Sequence, residues 1–137
     1  VRELTGHKVN GCNDALMIWV LDEPGSGGAN HLYQISGINT RTNKSCPFNT
    51  GQGLPTDNAT VVFLLFQNGP IPEVGTNGVT HEALLAILID RLESFQAGPF
   101  KCEENAAALS HLQAAQAALK SRTEKRLARG VEGTHAV

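Results

Sequence analysis

Three arginines stand at i, i+4 and i+7 in the stretch SRTEKRLARGVEGT: Arg122, Arg126 and Arg129. On a helix this spacing puts them on one face. A guanidinium matches phosphate through two parallel hydrogen bonds and keeps its charge at any working pH. From Lys120 to Arg129 five cations face Glu124 alone, a local balance of +4 in a chain whose formal charge is -2, so the remainder carries -6. Two readings stay open on the residues alone. The cations are either solvated at a helix C-terminus, where they favour the dipole, or they form half of an anion site. In the second reading the following GVEG turn supplies backbone N–H groups as a cradle. One compact patch is too small for a protein that coats DNA, which needs a broad basic surface.

A second set of residues is Phe95 and Asn105, in SFQAGPF and KCEEN. With five Phe, one Trp and one Tyr in the chain, each aromatic at a helix end matters. Phe95 is either a core residue or a platform on which a base stacks. The five histidines show no HxxxH or HExxH spacing, and no cysteine or carboxylate nearby completes a metal site, so no metal is expected. GxSxG, Walker and GxGxxG motifs are missing from the sequence, and nothing calls for a cofactor. Glu103, Glu104 and Glu132 are the carboxylates available for acid–base work, but helix capping accounts for the first two.

The elements that must position these residues read as α+β: N-terminal antiparallel β-strands, then a C-terminal two-helix antiparallel hairpin. Residues 1–79 form the strand region with a long loop, and residues 80–137 the hairpin and its RGVEGT turn, as one cooperative domain. ALMIWVLDE (15–23), HLYQISGI (31–38) and ATVVFLLFQ (59–67) read as strands. The last is apolar enough to be buried on both faces, which requires cover from helices or from another subunit. PGSGG marks a hairpin turn, and the polar loop 39–58 is long for a connection. Thr80 is placed to cap the first helix, HEALLAILIDRLESFQ, and Gly98 with Pro99 to stop it. That helix is apolar around more than half its circumference and therefore needs more than one neighbour. The second helix runs from about CEENAAAL to Ala128, with Asn105, Leu109, Leu112, Gln116, Leu119, Thr123 and Arg126 as a four-three seam. In an antiparallel hairpin Phe95 and Asn105 lie at the loop end, more than two turns from Arg122 and Arg126. A second hairpin, packed antiparallel, brings one subunit's basic end beside the other's loop end.

Length and composition fit one modest globular domain, with 41% apolar and 18% charged residues. Three scattered cysteines (Cys12, Cys46, Cys102) make no CxxC pair and suggest free thiols in a reducing compartment. No apolar leader or membrane-length run is present, so the chain reads as cytoplasmic, without membrane or polymeric nucleic acid as partner. The Asn-x-Ser/Thr triplets at Asn43 and Asn58 then read as chance matches.

The motifs FQNGPI-E-G-NG, FQ-G-F-C-EN and RT--R--RGVEGT lie within residues 66–134. Together they resemble the helical-hairpin domain shared by two groups of phage anti-defence proteins. These are the first type of Thoeris anti-defence protein and the anti-CBASS cyclic-nucleotide sponge. HLYQISG and the rest of the strand region look like the longer, Thoeris-type members; Thr76 stands where the family pattern has valine. The resemblance implies a non-catalytic sponge acting in the cytoplasm of an infected bacterial host. Its ligands would be glycocyclic ADP-ribose messengers (1''-2' or 1''-3') and, for some relatives, cyclic di- or trinucleotides. Self-association as a dimer, and commonly a hexamer, with pockets between protomers is implied too. Carried onto this chain, Phe95 would stack on the adenine and Asn105 would bond its edge or the ribose. Arg122 and Arg126 would clamp the diphosphate, with Arg129 and Arg41 as further cations. Two alternatives remain beside it: an enzyme that hydrolyses such nucleotides, and a coiled-coil module whose arginines meet an acidic partner.

Overall fold

A computed structural model describes residues 1–46 and 60–130. The chain divides after Phe66 into two compact units, Val1–Phe66 and Gln67–Val137. The first is a four-stranded antiparallel sheet in the order β1-β2-β3-β4, formed by β1 (Arg2–Leu4), β2 (Met17–Val20), β3 (Leu32–Ile38) and β4 (Thr60–Leu65). A five-residue helix, α1 (Gly11–Ala15), interrupts the β1–β2 connection. Register places Leu4, Ile18, Ile35 and Val62 in one row across the sheet and Glu3, Trp19, Gln34 and Phe63 in the next. Since successive side chains alternate faces, these rows lie on opposite sides. Among the described residues Val20 is the most deeply buried, and Tyr33 meets Phe66 edge-on at 5.6 Å. Gly37, at φ +86°, lies in an irregular stretch of β3 where a Cβ would collide with the Ala15 carbonyl; only glycine fits there.

The β2–β3 turn is fastened by polar groups. The Asp22 carboxylate accepts the backbone N–H groups of His31 (2.9 Å) and Leu32 (3.0 Å), while Asn30 Nδ2 donates to the Asp22 carbonyl (2.6 Å). Arg2 in turn donates to Asn30 Oδ1 (2.8 Å), which ties β1 to the same turn. The Leu32 N–H, opposed by partial desolvation and helped by the His31 N–H, holds the Asp22 carboxyl below its ordinary pKa. His31 itself is buried, with Nδ1 3.7 Å from Asp22.

The expected α+β architecture is present, with three differences. The strands are shorter than the apolar runs, and β1 and α1 were not foreseen. β4 is not buried on both faces: Val62, Phe63 and Leu65 are 43%, 56% and 50% exposed. The physical reason is position, since among the described residues β4 is the last strand of the sheet, with β3 as its one neighbouring strand. The long loop begins with a 3-10 turn, Thr40–Thr42, capped by the Asn39 side chain on the Arg41 N–H; its residues 47–58 lie outside the described ones.

The second unit holds α2 (Ile71–Val74), α3 (His81–Gln96) and α4 (Glu103–Ala128), with α3 packed on α4. Before α3 the turns are locked by side-chain amides. Gln67 Oε1 accepts the Asn77 N–H, Asn77 Oδ1 accepts the Asn68 N–H, and Gln67 Nε2 donates to the Gly75 carbonyl (2.7 Å). Thr80 caps α3 as expected, its hydroxyl accepting the Ala83 N–H. The C-cap is Ala97 in right-handed geometry rather than Gly98, because the Ala97 N–H closes the last turn on the Glu93 carbonyl without a left-handed residue. α4 starts on Cys102, whose thiol accepts the Asn105 N–H (3.4 Å), and ends at Arg129–Gly130, with Gly130 at φ +72°. Along α4 the residues that escape full exposure are Asn105, Leu109, Leu112, Gln116, Leu119, Thr123 and Arg126. These are the seam positions read from the sequence. On α3, Ile89 is buried, while Ile87 and Leu88 stay exposed, so part of its wide apolar face has no cover among the described residues.

Candidate functional site

The basic end of α4 divides its three arginines. Arg122 and Arg129 are exposed, whereas Arg126 is only 7% exposed and engaged by other groups. Helical geometry explains the split: at about 100° per residue Arg122 and Arg129 lie about 20° apart, and Arg126 is turned some 40° from Arg122 towards the Leu119–Thr123 seam. Two of the three forks therefore face solvent and one is built into the seam. Among the described residues no carboxylate pairs with Lys120, Arg122, Lys125 or Arg129. The field at this end is thus cationic and uncompensated, apart from the helix C-terminal dipole it complements. The turn proposed to complete an anion cradle, from Val131 onward, lies outside the described residues, as does Glu132.

Phe95 and Asn105 sit at the other end, on either side of the α3–α4 connection. The connection is held by Gln96 Oε1, which accepts the Cys102 N–H (3.1 Å). Phe95 is 40% exposed, and the Arg91 guanidinium lies over its ring at 5.7 Å from the centroid. Such a ring offers a π-face with a cation already beside it, suited to a flat heterocycle. Asn105 is half-buried on the seam face, and among the described residues its side-chain amide makes no hydrogen bond. Arg91 was not foreseen, although its position four residues before Phe95 is the spacing that brings two helical side chains together.

Within one chain these two groups do not meet. α4 is continuous from Glu103 to Ala128. At 1.5 Å per residue, Arg122 is about 26 Å along the axis from Asn105 and Arg126 about 32 Å. Arg41 lies in the sheet unit, exposed in its 3-10 turn.

Residues 60–124 match the family model described as the Acb2/Tad1 hairpin domain. Among curated proteins it is similar to "Thoeris anti-defense 1" of Bacillus phage SBSphiJ7. The two are 51% identical over 70 residues, which is 51% of this chain and 49% of the relative. The chain spans about half the length of that relative. Phe95, Asn105 and Arg122 fall inside the family match, Arg41 precedes it, and Arg126 and Arg129 follow it. β4 also falls inside it, although it belongs to the sheet unit.

Proposed function

We propose that this chain is a phage anti-defence protein that sequesters glycocyclic ADP-ribose messengers of Thoeris immunity (1''-2' or 1''-3') inside the infected host cell, without cleaving them. The observation that carries the reading is the 51% identity to a relative named Thoeris anti-defense 1, on the hairpin that holds Phe95, Asn105 and Arg122. Phe95 stacks on the adenine, with Arg91 behind the ring, and Asn105 bonds the base edge or the ribose. Arg122 and Arg129 take the diphosphate, and Arg126 contributes from within the seam; Arg41 is a further cation. Cyclic di- and trinucleotides of CBASS form a second ligand class to be tested on the same hairpin.

The spacing along α4 gives the site its form. A ligand with one base, two sugars and a diphosphate does not bridge about 26 Å along one helix. Two hairpins packed antiparallel remove that distance, because each basic end then lies beside the partner's Phe95 and Asn105. The same packing sets the five cations beside the partner's Glu103 and Glu104, so the charges attract. The protein therefore works as a dimer or a larger assembly, with hexamers as the family expectation. To test sequestration against hydrolysis, the protein is saturated with glycocyclic ADP-ribose, heat-denatured, and the released nucleotide is analysed by liquid chromatography and mass spectrometry. Intact messenger supports sequestration; a cleaved product identifies an enzyme; no retained ligand overturns both.

A further inference from the structure

Arg91 stands on the exposed side of α3, and among the described residues no carboxylate pairs with it. Helix spacing explains why. Its neighbours at i−4, i−3 and i+3 are Ile87, Leu88 and Ser94, while Asp90 and Glu93 lie at i−1 and i+2, positions that do not face it. The group left at i+4 is Phe95, and the guanidinium carbon sits over that ring, 5.7 Å from its centroid. Among the described residues no second ring or cation meets Phe95. The backbone beneath the ring is already fixed. The Ala97 N–H closes on the Glu93 carbonyl (3.1 Å), the Gly98 N–H on the Phe95 carbonyl (3.2 Å), and Gln96 Oε1 ties the connection to Cys102. What stays free at Phe95 is rotation about its own side-chain bonds, and Arg91 is the charged group in contact with the ring.

The geometry points to Arg91 as a positioning residue for the base-stacking site: it closes one face of Phe95 and leaves a single face on which a flat base can lie. The role rests on the reading that Phe95 stacks a base. A base lodged between ring and guanidinium would need two gaps of about 3.5 Å each, about 7 Å in all, and the two groups are 5.7 Å apart. Arg91 lies one turn nearer the start of α3, so the face it covers is turned that way. The remaining face is turned towards the C-terminal end of α3, the end that leads through the connection to Asn105. The charge acts as well. The faces of Phe95 and of a purine are both negative, so they repel when stacked squarely. A cation on the far face offsets that repulsion. Arg91 thus acts through Phe95 and not on the ligand itself. A platform with one open face takes one base per protomer, which suits a messenger that carries a single adenine. A cyclic dinucleotide would find no place on this ring for its second base.

A double-mutant cycle tests this, with glycocyclic ADP-ribose as the probe in calorimetry. Arg91→Ala should weaken binding about two- to five-fold, the size of an exposed cation–π contact. Arg91→Lys, which keeps a cation at the same position, should stay within about two-fold of wild type. In a Phe95→Ala background Arg91→Ala should change nothing further, because the group it acts through is gone. A loss of the same size in both backgrounds makes Arg91 a direct ligand contact and overturns the positioning role; no loss in either overturns it too. Wild-type affinity in Phe95→Ala alone would instead refute the stacking reading, and the role with it. A measurement without ligand keeps the two failures apart. In the free protein the Phe95 ring should shift the Arg91 Hδ protons upfield in NMR spectra, and Phe95→Leu should remove that shift. Arg91 protons that show no ring shift overturn the proposal whatever the messenger does.

Discussion

The two ends of α4 differ in charge, in chemistry and in what holds them. The N-terminal end is fixed: Cys102 caps it with Glu103 and Glu104 in its first turn, Gln96 ties the connection, and Phe95 lies under Arg91. The C-terminal end carries five cations against Glu124, with Arg126 locked in the seam and Arg122 and Arg129 free of ion pairs among the described residues. One end is organised to receive a flat ring, the other to attract an anion. Under the proposed function these are two complementary half-sites at a spacing no single small ligand closes, and only Arg126 of the three arginines is committed to packing.

The strongest way to break this comparison is to damage the ends separately and then mix them. Phe95→Ala removes a stacking surface worth about 1–3 kcal/mol per base, and Arg122→Ala a charged hydrogen bond of about 1.5–3 kcal/mol. Each should weaken messenger binding by roughly 10- to 100-fold in calorimetry. After the two variants are unfolded and refolded together, one intact site should return in each mixed dimer, about a quarter of wild-type capacity by statistical pairing. If mixing restores nothing, both half-sites belong to the same chain. A smaller effect separates the arginines. Arg126→Ala should destabilise the protein by about 1–3 kcal/mol in urea unfolding, while Arg122→Ala stays within about 0.5 kcal/mol of wild type. Equal losses would erase the distinction between a packed and a presented guanidinium.

The sheet unit supplies the gentlest contrast, since its β2–β3 turn is held by polar groups of the same chain. Asp22 is held below its ordinary pKa, so its contribution is present above the unfolded-state value, about 3.9, and fades as pH falls through the lowered folded one. Asp22→Asn should lower the Tm at pH 7 and matter progressively less as the pH falls below the ordinary carboxylate range, seen by scanning calorimetry across that fall. A difference that persists in acid would show that the carboxylate charge is not what holds the β2–β3 turn.

What was legible in the sequence follows the length of each element. The α4 seam could be read to the residue because 26 positions repeat one period and leucine alternates with alanine around it. Thr80 was legible because its cap is local chemistry. β1 and α1 were not, since three to five residues hold no period, and pairing with β2 is what orders β1. The apolar run of β4 signalled burial, but whether a strand is central or outermost is decided by partners far away in sequence. Arg126 was read twice, as a seam member and as a clamp, and its burial fits the seam. No sequence pattern placed Phe95 and Arg122 in one site; periodicity gives direction around a helix, not what lies across from it.

α4 outlasts α3 by ten residues, about 15 Å of helix. That difference gives the molecule a clock. Helices fray from their ends inward, so amide hydrogens beyond Arg126 should exchange with solvent well before those near Leu112. Whatever settles on the basic end must slow them, and the arrival of a ligand would be written in the exchange times of the last three turns.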